Sequence, residues 1–171
     1  MMTITSVVGN TKSDKNLEDA YQKLSGEKKV ERVLLSRMEA QRSRMRRTSD
    51  AGTDIAITLE HGSTLKHGDV LLLEENRMIV VEYEPEDVLG FKIKEELSSD
   101  QKVTIAIKLG HIIGNLHRPI CVIDNITYMP IQSESEAVDI KKILLPIIDY
   151  IDIQHSKIIF EQEEGTRVHI H

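Results

Sequence analysis

Short apolar runs rich in β-branched residues dominate the first half of the chain. The runs VERVLLSR, DIAITLE, GDVLLLE and RMIVVEY are separated by polar segments such as SDAGTD and EENR. Apolar runs of this length, divided by turn-forming residues, are typical of strands in a compact antiparallel unit. The earlier polar segment NTKSDKNLEDAYQKLSGEKK predicts a loop or a short exposed helix, and we expect no long helix before residue 95.

The spacing of apolar residues becomes helical after residue 95. Ser98 and Gln101 form a potential capping box ahead of VTIAIKLGHIIGNLH, although VTIAI by itself also fits a strand. The predicted apolar stripe of this helix consists of Val103, Ala106, Ile107, Gly110, Ile113 and Leu116.

Two further strands and a second helix are predicted after this helix. PICVID and ITYMPIQ form a hairpin around Asp124–Asn125, and Pro130 places its second strand at a sheet edge. Ser133 and Glu136 form another potential capping box, and the helix that they open should kink or end near Pro146. With FKIK before the first helix and DIQHSKIIF as the closing strand, the order is β-α-β-β-α-β, which is typical of a ferredoxin-like domain.

The chain is therefore predicted to be an α+β protein. We expect an antiparallel β-rich domain (residues 1–88), a ferredoxin-like βαββαβ domain (89–160) and a flexible tail that carries histidines (161–171). The boundary is placed near EYEPEDVLG, where a proline and several acidic residues separate the two patterns.

Composition narrows the possible partners and compartment. Lys and Arg number 22 against 28 Asp and Glu, a net charge of -6 that argues against a nucleic-acid coat. No secretory signal, transit peptide or membrane-spanning run is evident, so we expect a cytoplasmic protein with no membrane partner. The basic run QRSRMRR lacks an accompanying aromatic platform, which favours a solvated strand face or a protein-docking edge.

Sequence motifs of enzymes are missing. Cys121 is the single cysteine and is best explained as a small buried hydrophobe, because no activating base accompanies it. The chain has no GxGxxG, P-loop, CxxC, HExxH or GxSxG motif, so we predict that it is not an enzyme.

The histidines offer the most specific chemistry. His111 and His117 are separated by about 600° on a helix, so one helix cannot easily chelate an ion with both. If His117 lies near a two-fold axis, a homodimer would pair two imidazoles and each chain would hold half a metal site. The alternative is a histidine at a helix C-terminus, where a cationic imidazole favours the helix dipole and Pro119 stops the helix.

The end of the chain, Val168-His169-Ile170-His171, offers a second pair of histidines. In an extended segment residues i and i+2 face the same side, so both imidazoles could reach one ion. Such ligands suit Ni²⁺, Cu²⁺, Zn²⁺ and Co²⁺. The alternative is a solvated end without a role, or a cloning remnant.

Three ordered stretches together resemble one family. AGTDIAITLEHGSTLKHGDVLL, RMIVVEYEPEDVLGFKI and IIGNLHRP resemble UreE, the urease accessory nickel metallochaperones, over roughly residues 30 to 160. The resemblance implies a peptide- or partner-binding N-terminal domain and a metal-binding second domain through which the chain forms a homodimer. The GNRH motif of the family falls on Gly114, Asn115, Leu116 and His117.

The resemblance further implies a function and its residues. His117 would be the principal ligand, paired with its two-fold mate, and His169 and His171 could complete the coordination sphere. The chain would carry Ni²⁺, for which Zn²⁺, Cu²⁺ or Co²⁺ could substitute in vitro, to the urease accessory GTPase and the urease apoprotein complex. Leu116 replaces the arginine of the family motif, and His111 is displaced by one residue from a second histidine that some members carry. The competing hypothesis is a metal-independent interaction or assembly scaffold that acts through its basic β edge.

Overall fold

The computed structural model of the chain describes residues 1–162. It divides into two compact units, Met1–Glu84 and a second unit that begins at Pro85. Residue 88, the predicted end of the first domain, lies within a strand that begins at Glu86, directly after Pro85. His169 and His171 lie outside the described residues.

The first unit is built mainly from short strands. In chain order its elements are β1 (Met2–Ile4), β2 (Gly9–Asn10), α1 (Lys15–Gly26), β3 (Val30–Leu35), a 3₁₀ turn (Glu39–Gln41), β4 (Arg44–Thr48), β5 (Asp54–Thr58), β6 (Asp69–Glu74) and β7 (Arg77–Tyr83). They form a three-stranded sheet of order β1-β5-β4 and a four-stranded sheet of order β2-β6-β7-β3. The prediction of a β-rich N-terminal part is therefore confirmed.

The pairing within these sheets is mixed. β4 with β5 and β6 with β7 are antiparallel, as expected for hairpins, whereas β1 with β5 and β3 with β7 are parallel. The prediction of a purely antiparallel unit is wrong in this respect. Parallel pairs join strands that are distant in sequence, so local turn signals do not reveal them.

The polar segment before β3 forms a helix with one buried face. Asp14 caps α1 by accepting hydrogen bonds from the N–H groups of Asn16 and Leu17. Leu17 and Leu24 pack in a cluster with core residues of β3, β6 and β7. Of the two predicted forms, loop or short exposed helix, the helix is found, and its apolar side covers the four-stranded sheet.

A partly buried ion pair joins β3 to β7 within the first unit. The Glu31 carboxylate accepts hydrogen bonds from Arg77 Nε (2.7 Å) and Ser49 Oγ (2.6 Å). Burial raises the pKa of Glu31, but these hydrogen bonds and that of Thr53 outweigh the burial, so the pKa lies below its ordinary value of 4.5. The ionised carboxylate therefore stabilises the folded first unit.

The second unit has the predicted ferredoxin-like order. Its elements are β8 (Glu86–Ile93), α2 (Ser99–Asn115), β9 (Cys121–Ile123), β10 (Ile126–Pro130), α3 (Glu134–Ile143), a 3₁₀ turn (Leu145–Tyr150) and β11 (Ile151–Ile158). The strands form one sheet of order β11-β8-β10-β9, in which every pair is antiparallel. The α+β prediction with a βαββαβ second part is confirmed.

The hairpin of this unit forms where the sequence places it, but its second strand is not an edge. Asp124 and Asn125 have φ values of 50° and 62°, the left-handed conformation that a two-residue hairpin turn requires. β10 lies between β8 and β9, so the edge prediction from Pro130 is wrong. Pro130 is tolerated because it is the last residue of β10 and lies beyond the segment paired with β9.

Both helices begin at the predicted capping serines. The reciprocal capping box of Ser98 and Gln101 opens α2. At the start of α3 only half of the predicted box forms: the Ser133 hydroxyl accepts from the Glu136 N–H, whereas the Glu136 carboxylate accepts from the Gln132 N–H (2.6 Å). α3 ends at Ile143, before Pro146.

Among residues 1–162, no helix combines the length and the apolar character needed to span a bilayer.

The buried face of α2 differs from the predicted stripe. Ile105, Leu109 and Ile113 are buried against the sheet, whereas Val103 and Ile107 are 60% and 67% exposed. Of the predicted stripe, Ile113 is buried and Leu116 is partly buried against the core. The helix has apolar residues on two faces, and the core uses Ile105 and Leu109, which the predicted stripe did not include.

Candidate metal centre

His117 occupies an unusual backbone position at the end of α2. The helix ends at Asn115, and the His117 N–H donates to the Gly114 carbonyl (3.1 Å). His117 has a φ of 50°, the left-handed conformation that glycine normally supplies directly after a helix. This conformation costs a residue with a Cβ about 1–2 kcal/mol, so the local backbone would favour glycine at this position. Such a strained position, with an exposed side chain, is typical of functional residues.

The residues on both sides of His117 are anchored. Leu116 packs against the core of the second unit. Arg118 donates through Nη2 to the Pro130 carbonyl (2.9 Å) and forms an ion pair with Glu136 on α3. His117 thus lies between two fixed neighbours, while its imidazole makes no hydrogen bond to any residue in the described range 1–162.

The other histidine of α2 does not join His117. The Nε2 atom of His111 lies 3.3 Å from the Asn115 side-chain amide, one turn further along the helix. His111 is exposed, and among residues 1–162 no hydrogen bond or ring contact joins its imidazole to that of His117. The structure therefore gives no sign that these two residues of one helix are paired.

The histidines elsewhere have different surroundings. His67 Nδ1 accepts the Tyr83 N–H (3.0 Å), and the two rings meet edge to face at 5.8 Å, so this histidine supports the fold of the first unit. His155 lies between two carboxylates: Nε2 is 3.2 Å from Asp87 Oδ1 and Nδ1 is 3.2 Å from Glu134 Oε1. The two carboxylates face opposite ring nitrogens, so they do not converge on one point as the ligands of a shared metal ion would.

A single chain does not assemble a complete metal site within the described residues. Between residues 1 and 162, no group of three or more His, Cys, Asp or Glu side chains could hold an ion. Cys121 is buried, 4% exposed, in agreement with a small core residue. The predicted ligands His169 and His171 fall outside the described range, so the structure places only His117 of the three predicted ligands.

An exposed apolar face of α2 leads towards His117. We define the α2 outer face by five exposed residues that lie on one side of the helix: Val103, Ala106, Ile107, Gly110 and Gly114. Apart from the chain neighbours and the backbone of the same helix, no atom lies within 4 Å of where a Cβ would be on either glycine. Apolar side chains next to small residues make a surface on which another helix can approach closely.

Comparison with known proteins identifies relatives of this chain. Residues 4–84 match the family model described as UreE urease accessory protein, N-terminal domain. A urease accessory protein UreE of Natronomonas pharaonis is 31% identical over 139 residues, covering 81% of this chain and 64% of the relative. The urease accessory protein UreE 1 of Pseudomonas syringae pv. syringae is 35% identical over 117 residues, covering 68% of this chain and 75% of the relative. A urease accessory protein UreE of Yersinia enterocolitica is 27% identical over 188 aligned positions, covering all of this chain and 80% of the relative.

Proposed function

Because the chain belongs to the UreE family of urease accessory proteins, we propose that it is a nickel metallochaperone that delivers Ni²⁺ during assembly of the urease active site. It acts in the cytoplasm as a homodimer and passes the ion to the urease accessory GTPase and the urease apoprotein complex. The relatives are named accessory proteins and not enzymes, in agreement with a chain that changes no covalent bond of a substrate.

The observation that carries this proposal is the position of His117. Its exposed imidazole follows α2 in a left-handed conformation, between residues anchored to the core and to α3. Neutral imidazole is a good ligand for Ni²⁺, and an anchored backbone limits the entropy lost when the ion binds. One imidazole alone binds Ni²⁺ weakly, so further ligands are needed.

A second copy of the chain supplies the next ligand. A two-fold interface presents the same patch twice, so an interface that includes the end of α2 brings two copies of His117 together. The α2 outer face supports this arrangement, because Val103 and Ile107 are more than half exposed in the single chain. Burial of these side chains against their two-fold mates contributes favourable free energy to the dimer.

The tail completes the coordination sphere. His169 and His171 are two positions apart, and both can reach one ion if the segment is extended. Tail ligands that can detach make ligand exchange with the next protein possible without unfolding of the dimer. Binding weakens on acidification, because a protonated imidazole cannot ligate a metal ion.

Calorimetric titration with Ni²⁺ tests the proposal. The untagged protein is compared with His117→Ala, with a chain that ends at Val168, and with His111→Ala as the matched control. His111 is suitable because it is an exposed histidine on the same helix. We expect His117→Ala to lose tight binding at unchanged dimer mass by light scattering, the shortened chain to bind more weakly, and His111→Ala to match the parent.

Equal binding by all four proteins, or binding by none, would overturn the proposal. The competing function, a metal-independent docking scaffold, would then be favoured. The feature behind that alternative is the arginine-rich strand β4, which is solvent-exposed at Arg44 and Arg46.

A further inference from the structure

Strand β4 forms one edge of the three-stranded sheet in the first unit. The sheet has the order β1-β5-β4, so β4 pairs with β5 on one side only among the described residues. An edge strand presents unpaired backbone N–H and C=O groups to which another extended chain can add. The side chains of the strand determine which kind of segment can bind there.

The hydrogen bonds at both ends of β4 show which residues face the open edge. The Ser43 carbonyl accepts from the Leu59 N–H (2.7 Å), and the Ser49 N–H donates to the Thr53 carbonyl (2.9 Å). In an antiparallel ladder, alternate residues direct both backbone groups to the same partner strand. The odd-numbered residues therefore bond to β5, and residues 44, 46 and 48 direct their N–H and C=O groups to the open edge.

Two of these outward residues, Arg44 and Arg46, are basic. Arg44, Arg46 and Thr48 are exposed. Arg46 makes a bidentate pair with Asp54 (2.8 Å to each oxygen), whereas Arg44 makes no ion pair within the range that the structure describes. Beside the strand is an open depression of about 570 Å³ lined by Arg46, Arg47, Thr48 and Asp54. The Arg46 carbonyl accepts only a long hydrogen bond from Arg47 (3.3 Å), which agrees with its outward direction.

We propose that the open edge of β4 is a docking site for an extended acidic segment of a partner protein, which adds to the sheet as a further strand. Every second side chain of such a segment would lie beside Arg44 and Arg46, so alternating carboxylates match the spacing. A carboxylate beside Arg46 would share that guanidinium with Asp54, so the preference for acidic residues rests mainly on Arg44. The surrounding protein has a net charge of -6, so the basic strand stands out locally as the attractive surface for an acidic chain. The same arginines disfavour addition of a basic segment. This docking goes beyond the proposed nickel function and does not depend on it.

Fluorescence anisotropy with a synthetic peptide tests the docking site. The probe is a fluorescein-labelled heptapeptide, Glu-Val-Glu-Val-Glu-Val-Glu, and its control has glutamine in place of every glutamate. We expect the full-length protein to bind the acidic peptide about tenfold more tightly than the glutamine peptide, with an advantage that shrinks as salt rises.

Two substitutions of Arg44 separate side-chain recognition from backbone recognition. Arg44→Glu should weaken binding of the acidic peptide about fivefold or more, while Lys15→Glu, the same charge change on exposed α1, should alter it less than about twofold. Arg44→Pro removes an outward N–H without removing a bond to β5, and should weaken both peptides. Far-ultraviolet circular dichroism checks that each variant is folded.

Several results would overturn the docking site. These are no binding of the acidic peptide, equal binding of both peptides, or Arg44 variants that bind like Lys15→Glu. If light scattering instead finds a larger assembly without peptide that Arg44→Pro dissolves, the edge is occupied by a second copy of the chain, and the acidic-partner proposal is wrong.

Discussion

Truncation of Ile107 to alanine is expected to weaken the proposed homodimer strongly. Ile107 lies in the middle of the α2 outer face, the set of exposed apolar and small residues that leads towards His117. Because about two thirds of Ile107 is exposed in the single chain, its truncation should change the stability of each subunit little. The effect should therefore appear in association and not in folding.

The expected size of the effect follows from the exposure of the side chain. Ile107 is 67% exposed, so about two thirds of its surface can still be removed from water. Full burial of an isoleucine contributes about 1.5–3 kcal/mol, so each copy can contribute about 1–2 kcal/mol to the interface. A two-fold dimer contains two copies, and the loss of about 2–4 kcal/mol corresponds to a dimer Kd raised about 30- to 700-fold. Alanine keeps the Cβ methyl group, so we expect the lower end of this range.

Sedimentation velocity over a dilution series measures this Kd directly. Leu34→Ala is the matched control, because Leu34 is a 49% exposed aliphatic residue on β3 of the first unit. We expect Ile107→Ala to dissociate at concentrations where the parent and Leu34→Ala remain dimers. A dimer that is equally stable in all three proteins would refute the assignment of the α2 outer face to the interface.

Three further predictions concern the stability of the fold. Gly90→Ala should lower the free energy of unfolding by about 1–3 kcal/mol in urea titrations, because a Cβ there would lie 2.9 Å from Tyr128 Cε1; a neutral result would mean that the neighbouring side chains move aside. Glu136→Gln should lower it by about 1 kcal/mol in thermal unfolding, because the ion pair with Arg118 loses its charge, and an unchanged Tm would contradict this role. Glu31→Gln should reduce the pH dependence of stability: the pKa of Glu31 is lowered in the fold, so its contribution is present above 4.5 and is lost as pH falls through the folded value. If the difference between the urea midpoints of parent and variant stayed constant at all acidic pH values, this last expectation would be refuted.

The ferredoxin-like part could be predicted from sequence because its signals are local. The capping box at Ser98, the Asp124–Asn125 turn and the stop before Pro146 each act within a few residues, and together they fix the element order. The four-stranded sheet of the first unit was harder to predict from sequence, because its strands β3 and β7 pair in parallel and are more than forty residues apart in the chain. The resemblance to the UreE family read from the sequence is confirmed by the matched relatives.

The face of α2 shows the limit of periodicity. Both Ile105 with Leu109 and Val103 with Ile107 recur at helical spacing, and the pattern alone does not say which pair meets the sheet. The predicted stripe contained Val103 and Ile107, which the structure leaves exposed. That error is informative, because an apolar helix face that the core does not use is the surface expected at an interface between subunits.

The candidate site could be predicted only in part. The GNLH motif points to His117 through family resemblance, but the left-handed backbone of His117 and its anchoring by Arg118 depend on contacts with β10 and α3. The contacts of His155 with Asp87 and Glu134 were not foreseen. Asp87 lies outside the predicted strand FKIK and was assigned to the first domain, so the predicted elements did not bring it beside His155.

The number of nickel ions per dimer tests the central claim most directly. Native mass spectrometry of the protein with a slight excess of Ni²⁺ would count ions on each oligomeric species, beside His117→Ala under the same conditions. A site shared by two copies of His117 predicts one tightly held ion on the dimer, none on the monomer and none on the His117→Ala dimer. Ions held by monomers, or a His117→Ala dimer that retains its ion, would contradict the account.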